Sequence, residues 1–535
     1  MTKHAILLSI STLVALSACT KAYVSTPMQQ NGTQTGNLLN SAGNLQHQEK
    51  FTFKIANLSV KSTGADSEAF TVDGHAVRFK SKQMAISLDS DSELPAILKT
   101  YHASVLKQEI IPGRPIIQGS KSGGTYKQLP AGTESRLPNY LLSLDADSSD
   151  SSSELPTLAQ QFGLRGSYTF SSEHQAAFFA KSLRIAHDLE SGGRKSSLNY
   201  VTDNCSSLEG SAEGAPSPTE TCPDDNMFWW TAPSQYGTYG CDLEEDPADG
   251  NDDLANHEPS GGTNLSIAVV DGGFEGSNES YMPPQIVSMN EETYNFVDSS
   301  YSIQGAQNVD AYARWHGREV SSVIFARWAD SAGTVGSYPN ALPILMNTDN
   351  SSWEHGSAID TAVSWGARVI NLSYGSNNPT PDWSYNAIVN AYNSGVVLIA
   401  GAGNDGDEDF YPASYSQVIG VGAYNWYGNL SHWGTQRSNS LSSVVDIYAP
   451  GGGWGIPGEQ DSVVAVAPSP GVDSNRTHGS GGTSMAAPIV SGVALALIAN
   501  GKASNTDTVW ERLVNYSYSY PVGRALDALG TVLRP

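Results

Sequence analysis

A chain of 535 residues is longer than one hydrophobic core needs, which points to an export segment plus two or more folded units. Charged residues make up 16% and hydrophobic residues 39%, with 52 glycines, a composition that excludes a disordered chain and suits a globular protein with many tight turns. The formal net charge of −25 argues against electrostatic binding to nucleic acid or anionic lipid, because an acidic surface repels phosphate; such a charge serves solubility outside the cell.

At the amino terminus Lys3 and His4 precede an apolar run from Ala5 to Leu16, too short for a permanent membrane span and of the length of a signal-peptide core. It ends in Leu16, Ser17, Ala18 and Cys19, which resembles the lipobox of bacterial lipoproteins: small residues for the peptidase, then a thiol to carry lipid. That resemblance implies residues 1–18 as a signal peptide, Cys19 as the lipidation site and a membrane anchor. An ordinary cleaved signal peptide is the alternative. Thr20, in place of Asp, implies outer-membrane sorting in a Gram-negative cell.

Residues 19–50 are rich in Gln, Asn, Thr, Ser and Gly without apolar periodicity and read as a flexible tether. Over 51–190, strand and helix signals alternate: Met84 to Leu88, helical Leu94 to His102, Val105 to Ile111, Tyr140 to Leu144, helical Leu155 to Phe162, and Ser167 to Ser171. That βαββαβ order predicts a small α+β, ferredoxin-like domain. A further helix is expected from Ser172, with Ser172 and Gln175 at capping-box spacing. Residues 191–263 are rich in Gly, Ser, Pro and acidic residues and read as a linker and maturation region. With Cys19 lipidated, Cys205, Cys222 and Cys241 leave one disulfide and one spare thiol, with the pairing open. The acidic stretch from Asp242 to Asp253 lacks the alternating ligand pattern of an EF-hand loop.

From 264 to 535 apolar β-rich runs alternate with helical ones, predicting an α/β domain on a mostly parallel sheet. Strands are expected at Ile267 to Val270, Pro343 to Met346, Val369 to Leu372, Val396 to Ala400 and Val418 to Val421, with the site at their carboxyl ends.

Peptide hydrolysis near neutral pH needs a nucleophile, a base, a group to orient that base, and donors for the developing oxyanion. The run Ser266 to Val270 delivers Asp271 into Gly272 and Gly273 at a strand end. His316 is followed by Gly317 and by Val320, Val323 and Ile324 at helical spacing, which puts the imidazole at the first turn of a buried helix. Ser484 stands in Gly481-Gly482-Thr483-Ser484-Met485-Ala486-Ala487-Pro488, where small residues admit a substrate backbone and a helix start aims free N–H groups outward. Pro488 is tolerated because it falls within about the first turn.

This arrangement resembles the subtilisin family, and the chain order Asp, His, Ser matches it. The resemblance spans 265 to 533. It implies a three-layer subtilisin-like domain, the triad Asp271, His316 and Ser484, and a serine endopeptidase acting through an acyl-enzyme. Asn371-Leu372-Ser373-Tyr374-Gly375 looks like the strand that pairs with substrate, and Ala402-Gly403-Asn404-Asp405-Gly406 implies Asn404 as oxyanion donor. Substrate-binding residues are therefore expected at Ser373, Tyr374, Gly375, Ala402 and Gly403. Residues 51–190 resemble the propeptides of this family, which implies a self-processing zymogen whose partners are protein or peptide substrates and its own propeptide. No cofactor follows from the motifs; calcium enters by family analogy. The departures are Gly272, where the family commonly has Ser or Thr, and the charged run Gly317-Arg318-Glu319. An inactive surface-binding protein on the same fold is the competing reading, which a missing triad member would favour; none is missing. The expected location is the cell envelope, with release after processing.

Overall fold

The computed structural model describes residues 51–56, 58, 67–119, 126–130, 134–145, 150–190, 193–204, 265–274, 292–303, 315–325, 336–377, 382–425, 428–433, 436–456, 459–461, 463–466 and 477–533. The signal peptide, the tether, Cys19, Cys205, Cys222, Cys241 and the stretch from Asp242 to Asp253 all lie outside these. No helix among the described residues is long and apolar enough to cross a membrane.

The amino-terminal domain contains β1 (Thr52–Ile55), β2 (Ser67–Val72), β3 (His75–Ser87), α1 (Leu94–Tyr101), β4 (Ala103–Ile111), a hairpin of β5 (Pro115–Gly119) and β6 (Tyr126–Pro130), β7 (Ser135–Leu144), α2 (Leu155–Gln161), β8 (Ser167–Phe170), α3 (Glu173–Glu190) and β9 (Ser196–Tyr200). The six expected elements are β3, α1, β4, β7, α2 and β8. Their sheet, however, runs β1-β8-β2-β3-β7-β4 with β9 also on β3, so it is larger than a four-stranded plait and β2 is inserted between β8 and β3. The thirteen residues of β3 make this geometrically feasible: the first half pairs with β2, the second with β7 and β9. The core is aromatic, with Phe70, Phe79, Tyr168, Phe170 and Phe179 packed together. Ser172 caps α3 through the Gln175 amide at 3.2 Å, while the Gln175 side chain reaches back to the Ser171 N–H at 2.9 Å, one residue earlier than a regular capping box.

The linker expectation fails over 193–204. Leu198, Tyr200 and Val201 are buried, so β9 joins the sheet, and Asp203–Asn204 form a further short strand, β10, against the second domain. The polar composition around this stretch conceals three apolar anchors that only a tertiary partner makes legible.

In the carboxyl-terminal domain come β11 (Ser266–Asp271), β12 (Glu292–Asn295), α4 (His316–Phe325), β13 (Leu342–Asn347), α5 (Ser352–Ser364), β14 (Ala367–Leu372), β15 (Tyr374–Gly375), α6 (Ser384–Asn393), β16 (Val397–Gly401), β17 (Ile419–Tyr424) and α7 (Thr483–Ala499). The sheet begins β12-β13-β11-β14-β16-β17 and continues through Ile447–Pro450 to an antiparallel edge at Gly523–Ala525 and Tyr518–Tyr520. Successive residues of β11 feed opposite cores: Ile267 and Val269 meet α4 and α7, whereas Ala268 and Val270 meet α5 and α6. Burial on both faces is why these strands read as continuous apolar runs.

The two domains meet across α5 and α6. Trp353 and Trp383 stack with centroids 5.4 Å apart and close on Ala85 and Leu141 of the amino-terminal sheet. Around them Lys107 pairs with Glu354 at 2.6 Å, Lys80 with Asp349 at 3.1 Å, and the Ser357 hydroxyl donates to Glu109 at 3.1 Å.

Candidate active site

Asp271 ends the interior strand β11, which is flanked in parallel by β13 and β14, and is fully buried. Its Oδ1 accepts from the Gly272 N–H at 2.7 Å and from His316 Nδ1 at 2.8 Å. His316 opens α4, and that helix is tied to the loop after the aspartate: the Gly317 and Arg318 amides donate to the carbonyls of Gly272 and Gly273 at 3.2 and 3.3 Å. The backbone thus holds imidazole and carboxylate together before their side chains meet. Glycine is required at 317, because a Cβ there would lie 2.6 Å from the Phe274 ring.

The hydrogen bond on Nδ1 leaves Nε2 as the basic nitrogen, and Nε2 has no hydrogen-bond partner. Burial works against a charged ring, but the Asp271 charge, its hydrogen bond and the Glu319 carboxylate outweigh it and hold the His316 pKa above its ordinary value.

Ser484 is the second residue of α7, entered through Gly482 at φ 128, and its Oγ donates to the Ser373 carbonyl at 3.2 Å. Pro488 falls inside the helix as its sixth residue rather than at its margin. The N–H it lacks would have bonded the Ser484 carbonyl, and that carbonyl instead accepts from Ser373 Oγ at 2.9 Å. Asn404 is nearly buried, and its Oδ1 accepts from both the amide and the hydroxyl of Thr483, at 3.0 and 3.1 Å. Two donors on the oxygen identify the other end of the amide as the NH₂ group.

Beside this cluster β10 lies antiparallel on β15, with Asp203 opposite Gly375 and Asn204 opposite Tyr374. One step upstream the Thr202 amide donates to the Asn350 carbonyl at 2.9 Å, and Val201 bridges Ser351. The tail of the amino-terminal domain therefore runs between two segments of the carboxyl-terminal one and heads for Ser373 and Ser484.

Residues 262–526 match the subtilase family. The chain is 30% identical over 285 residues to the thermophilic serine proteinase of Bacillus sp. (strain AK1), covering 52% of this chain and 63% of that one. It is 30% identical over 250 residues to the major intracellular serine protease of Bacillus subtilis (strain 168), covering 44% of this chain and 69% of that one. Against thermitase of Thermoactinomyces vulgaris it is 30% identical over 251 residues, 46% of this chain and 78% of that one. The chain belongs to the subtilase family. It spans under two thirds of the length of the first of these relatives.

In this subtilase not every expected site residue faces the cleft. Tyr374 turns its ring into the core, stacked on His355 at 3.6 Å, so only its backbone meets the tail. Ala402 and Gly403 sit behind Asn404 with their amides engaged internally, on the Val421 carbonyl at 2.9 Å and the Thr483 hydroxyl at 3.1 Å. Two residues with no role assigned from sequence do the positioning. Thr483 accepts from Gly403 and donates to Asn404; Asn371 donates to Ser373 Oγ at 2.9 Å and accepts from Ser491 at 3.0 Å. Both stand inside quoted motifs, but a hydroxyl or amide beside a catalytic residue has no spacing that distinguishes it. Among the described residues no group of three or more His, Cys, Asp or Glu is arranged to hold a metal ion.

Proposed function

We propose that this subtilase cleaves peptide bonds with Asp271, His316 and Ser484 as its triad, and that it is made as a precursor inhibited by its own amino-terminal domain. The observation that carries the catalytic reading is the buried Asp271–His316 pair, 2.8 Å apart, with Nε2 left unpartnered beside the helix that bears Ser484. In this reading Ser484 Oγ gives up its bond to the Ser373 carbonyl and turns to His316 Nε2, which has no hydrogen-bond partner. His316 then takes the hydroxyl proton as Ser484 Oγ attacks the scissile carbonyl, while Asp271 keeps the ring in the Nδ1–H tautomer and stabilises the imidazolium. The Asn404 NH₂ group and the Ser484 amide receive the oxyanion. His316 passes the proton to the leaving amine, and water attacks the acyl-enzyme to release it.

The antiparallel register of Asp203 and Asn204 on β15 supports the precursor reading, since an extended substrate strand would occupy the same edge. Cleavage beyond Asn204 separates the protease from Cys19, which we propose as its lipid anchor in the cell envelope. Ser484→Ala is expected to leave a near full-length precursor that does not react with a serine-directed fluorophosphonate. Correctly folded wild type that neither reacts nor processes itself would end the reading.

A further inference from the structure

Between β4 and β7 the amino-terminal chain leaves its own sheet, and residues 112–115 take no part in that domain's hydrophobic core. They lie instead on the far edge of the second domain, at β12, two strands away from the one that carries Asp271. Three consecutive residues are held there, each by a different side chain. The Trp365 indole N–H donates to the Pro112 carbonyl at 2.9 Å. The Tyr301 hydroxyl donates to the Gly113 carbonyl at 2.9 Å. Arg114 Nε lies 3.0 and 2.8 Å from the two carboxylate oxygens of Glu292.

The receiving surface is built independently of what it holds. Tyr301 and Trp365 are parallel within 2° at 6.3 Å, and Tyr294 stands edge-on to Tyr301 at 5.1 Å, so both donors are fixed by aromatic packing. The ligand is equally prepared. Pro112 and Pro115 flank Gly113 and Arg114, restrict the residues before them to extended backbone, and leave the carbonyls free to accept. A segment already extended loses little entropy on docking.

We propose that Tyr301, Trp365 and Glu292 form an exosite for an extended proline–glycine–arginine segment, filled in the unprocessed chain by residues 112–114, which keeps the amino-terminal domain on the protease independently of the catalytic cleft. The proposal rests on the precursor reading above: once the chain is cut beyond Asn204, the segment belongs to one fragment and the exosite to the other. Two bonds go to backbone and read only an extended chain with exposed carbonyls. The Glu292 carboxylate reads the cation.

A dye-labelled peptide of residues Ile111–Ile116 tests this on full-length Ser484→Ala protein, which reports the exosite without any catalytic activity. With Arg114→Glu also present the internal occupant is repelled and the peptide is expected to bind, with the same peptide carrying Glu at the arginine position binding about tenfold more weakly. Glu292→Arg introduced instead into Ser484→Ala protein with native Arg114 likewise repels the internal occupant and reverses that preference. Ser484→Ala protein with native Arg114 takes up less peptide, its exosite being filled. Equal binding of both peptides, or none to a variant that melts as a folded protein, overturns the exosite. Should Arg114→Glu fail to fold, Arg114→Ala serves in the same assay. In otherwise wild-type protein Arg114→Ala is expected to speed loss of the amino-terminal fragment after processing, about tenfold on gel filtration; unchanged retention counts against the proposal. A wild type inert to fluorophosphonate would sink the triad while leaving the peptide result intact.

Discussion

Ser373 and Ser484 are hydrogen-bonded to each other twice: Ser373 Oγ donates to the Ser484 carbonyl at 2.9 Å, and Ser484 Oγ donates to the Ser373 carbonyl at 3.2 Å. The first bond repairs the helix where Pro488 has no N–H; the second holds the Ser484 hydroxyl beside the strand that the amino-terminal tail approaches. Ser373→Ala leaves a buried carbonyl without its donor and is expected to cost about 1–3 kcal/mol. For a domain of this size that lowers Tm by about 2–4 °C per kcal/mol in a thermal melt. Pro488→Ala in the Ser373→Ala background restores an N–H at the right place, and part of the loss should return. Strict additivity of the two changes would show that the bonds are not coupled as described.

Thr483 fixes the orientation of Asn404 through its amide and its hydroxyl. Thr483→Val removes the hydroxyl only, so kcat is expected to fall about tenfold, with KM little changed. Asn404→Ala removes the donor itself and should cost about a hundred- to a thousandfold, the magnitude measured for an oxyanion-hole asparagine in a subtilisin. Steady-state kinetics on a peptide substrate separate the two.

The proposed mechanism requires neutral His316, whose pKa is held above its ordinary value by Asp271 and Glu319 against the effect of burial. A raised pKa keeps the ring protonated to higher pH, so kcat/KM should fall on acidification with a midpoint above about 6.5. Glu319 accepts from the Ser480 hydroxyl at 3.1 Å. Glu319→Gln keeps that acceptor and removes the charge, so the acid limb should move to lower pH. A pH–rate profile that stays in place would mean Glu319 does not act on the ring.

At Gly317 a methyl group would press on the Phe274 ring at 2.6 Å and push α4 away from the aspartate loop. Gly317→Ala is expected to destabilise by about 1–3 kcal/mol and to slow fluorophosphonate labelling. Phe274→Leu, which withdraws the ring edge, should recover part of both in the double variant.

If the precursor cleaves itself as proposed, the register of β10 on β15 puts the expected cut just after Asn204. Mass spectrometry of the mature fragment should find an amino terminus within a few residues of that point. A terminus near 262, at the start of the family match, would place maturation elsewhere and separate the observed tail from the processing event.

The three residues proposed as the triad could be singled out in the sequence because each carries a local signature. Asp271 ends an apolar strand before two glycines, His316 opens a helix with its apolar face at helical spacing, and Ser484 follows a glycine pair at a helix start. Strand positions were equally legible, since burial on both faces forces continuous apolar runs such as Ile267 to Val270. Tertiary structure alone decided the rest. The mutual bonds of Ser373 and Ser484, the grip of Thr483 on Asn404, the inward turn of Tyr374, the tail on β15 and the docking of Pro112 to Arg114 on Trp365, Tyr301 and Glu292 join residues about 20 to 250 positions apart. A hydrogen bond between such groups depends on where the backbone brings them, and neither propensity nor periodicity along the chain carries that information.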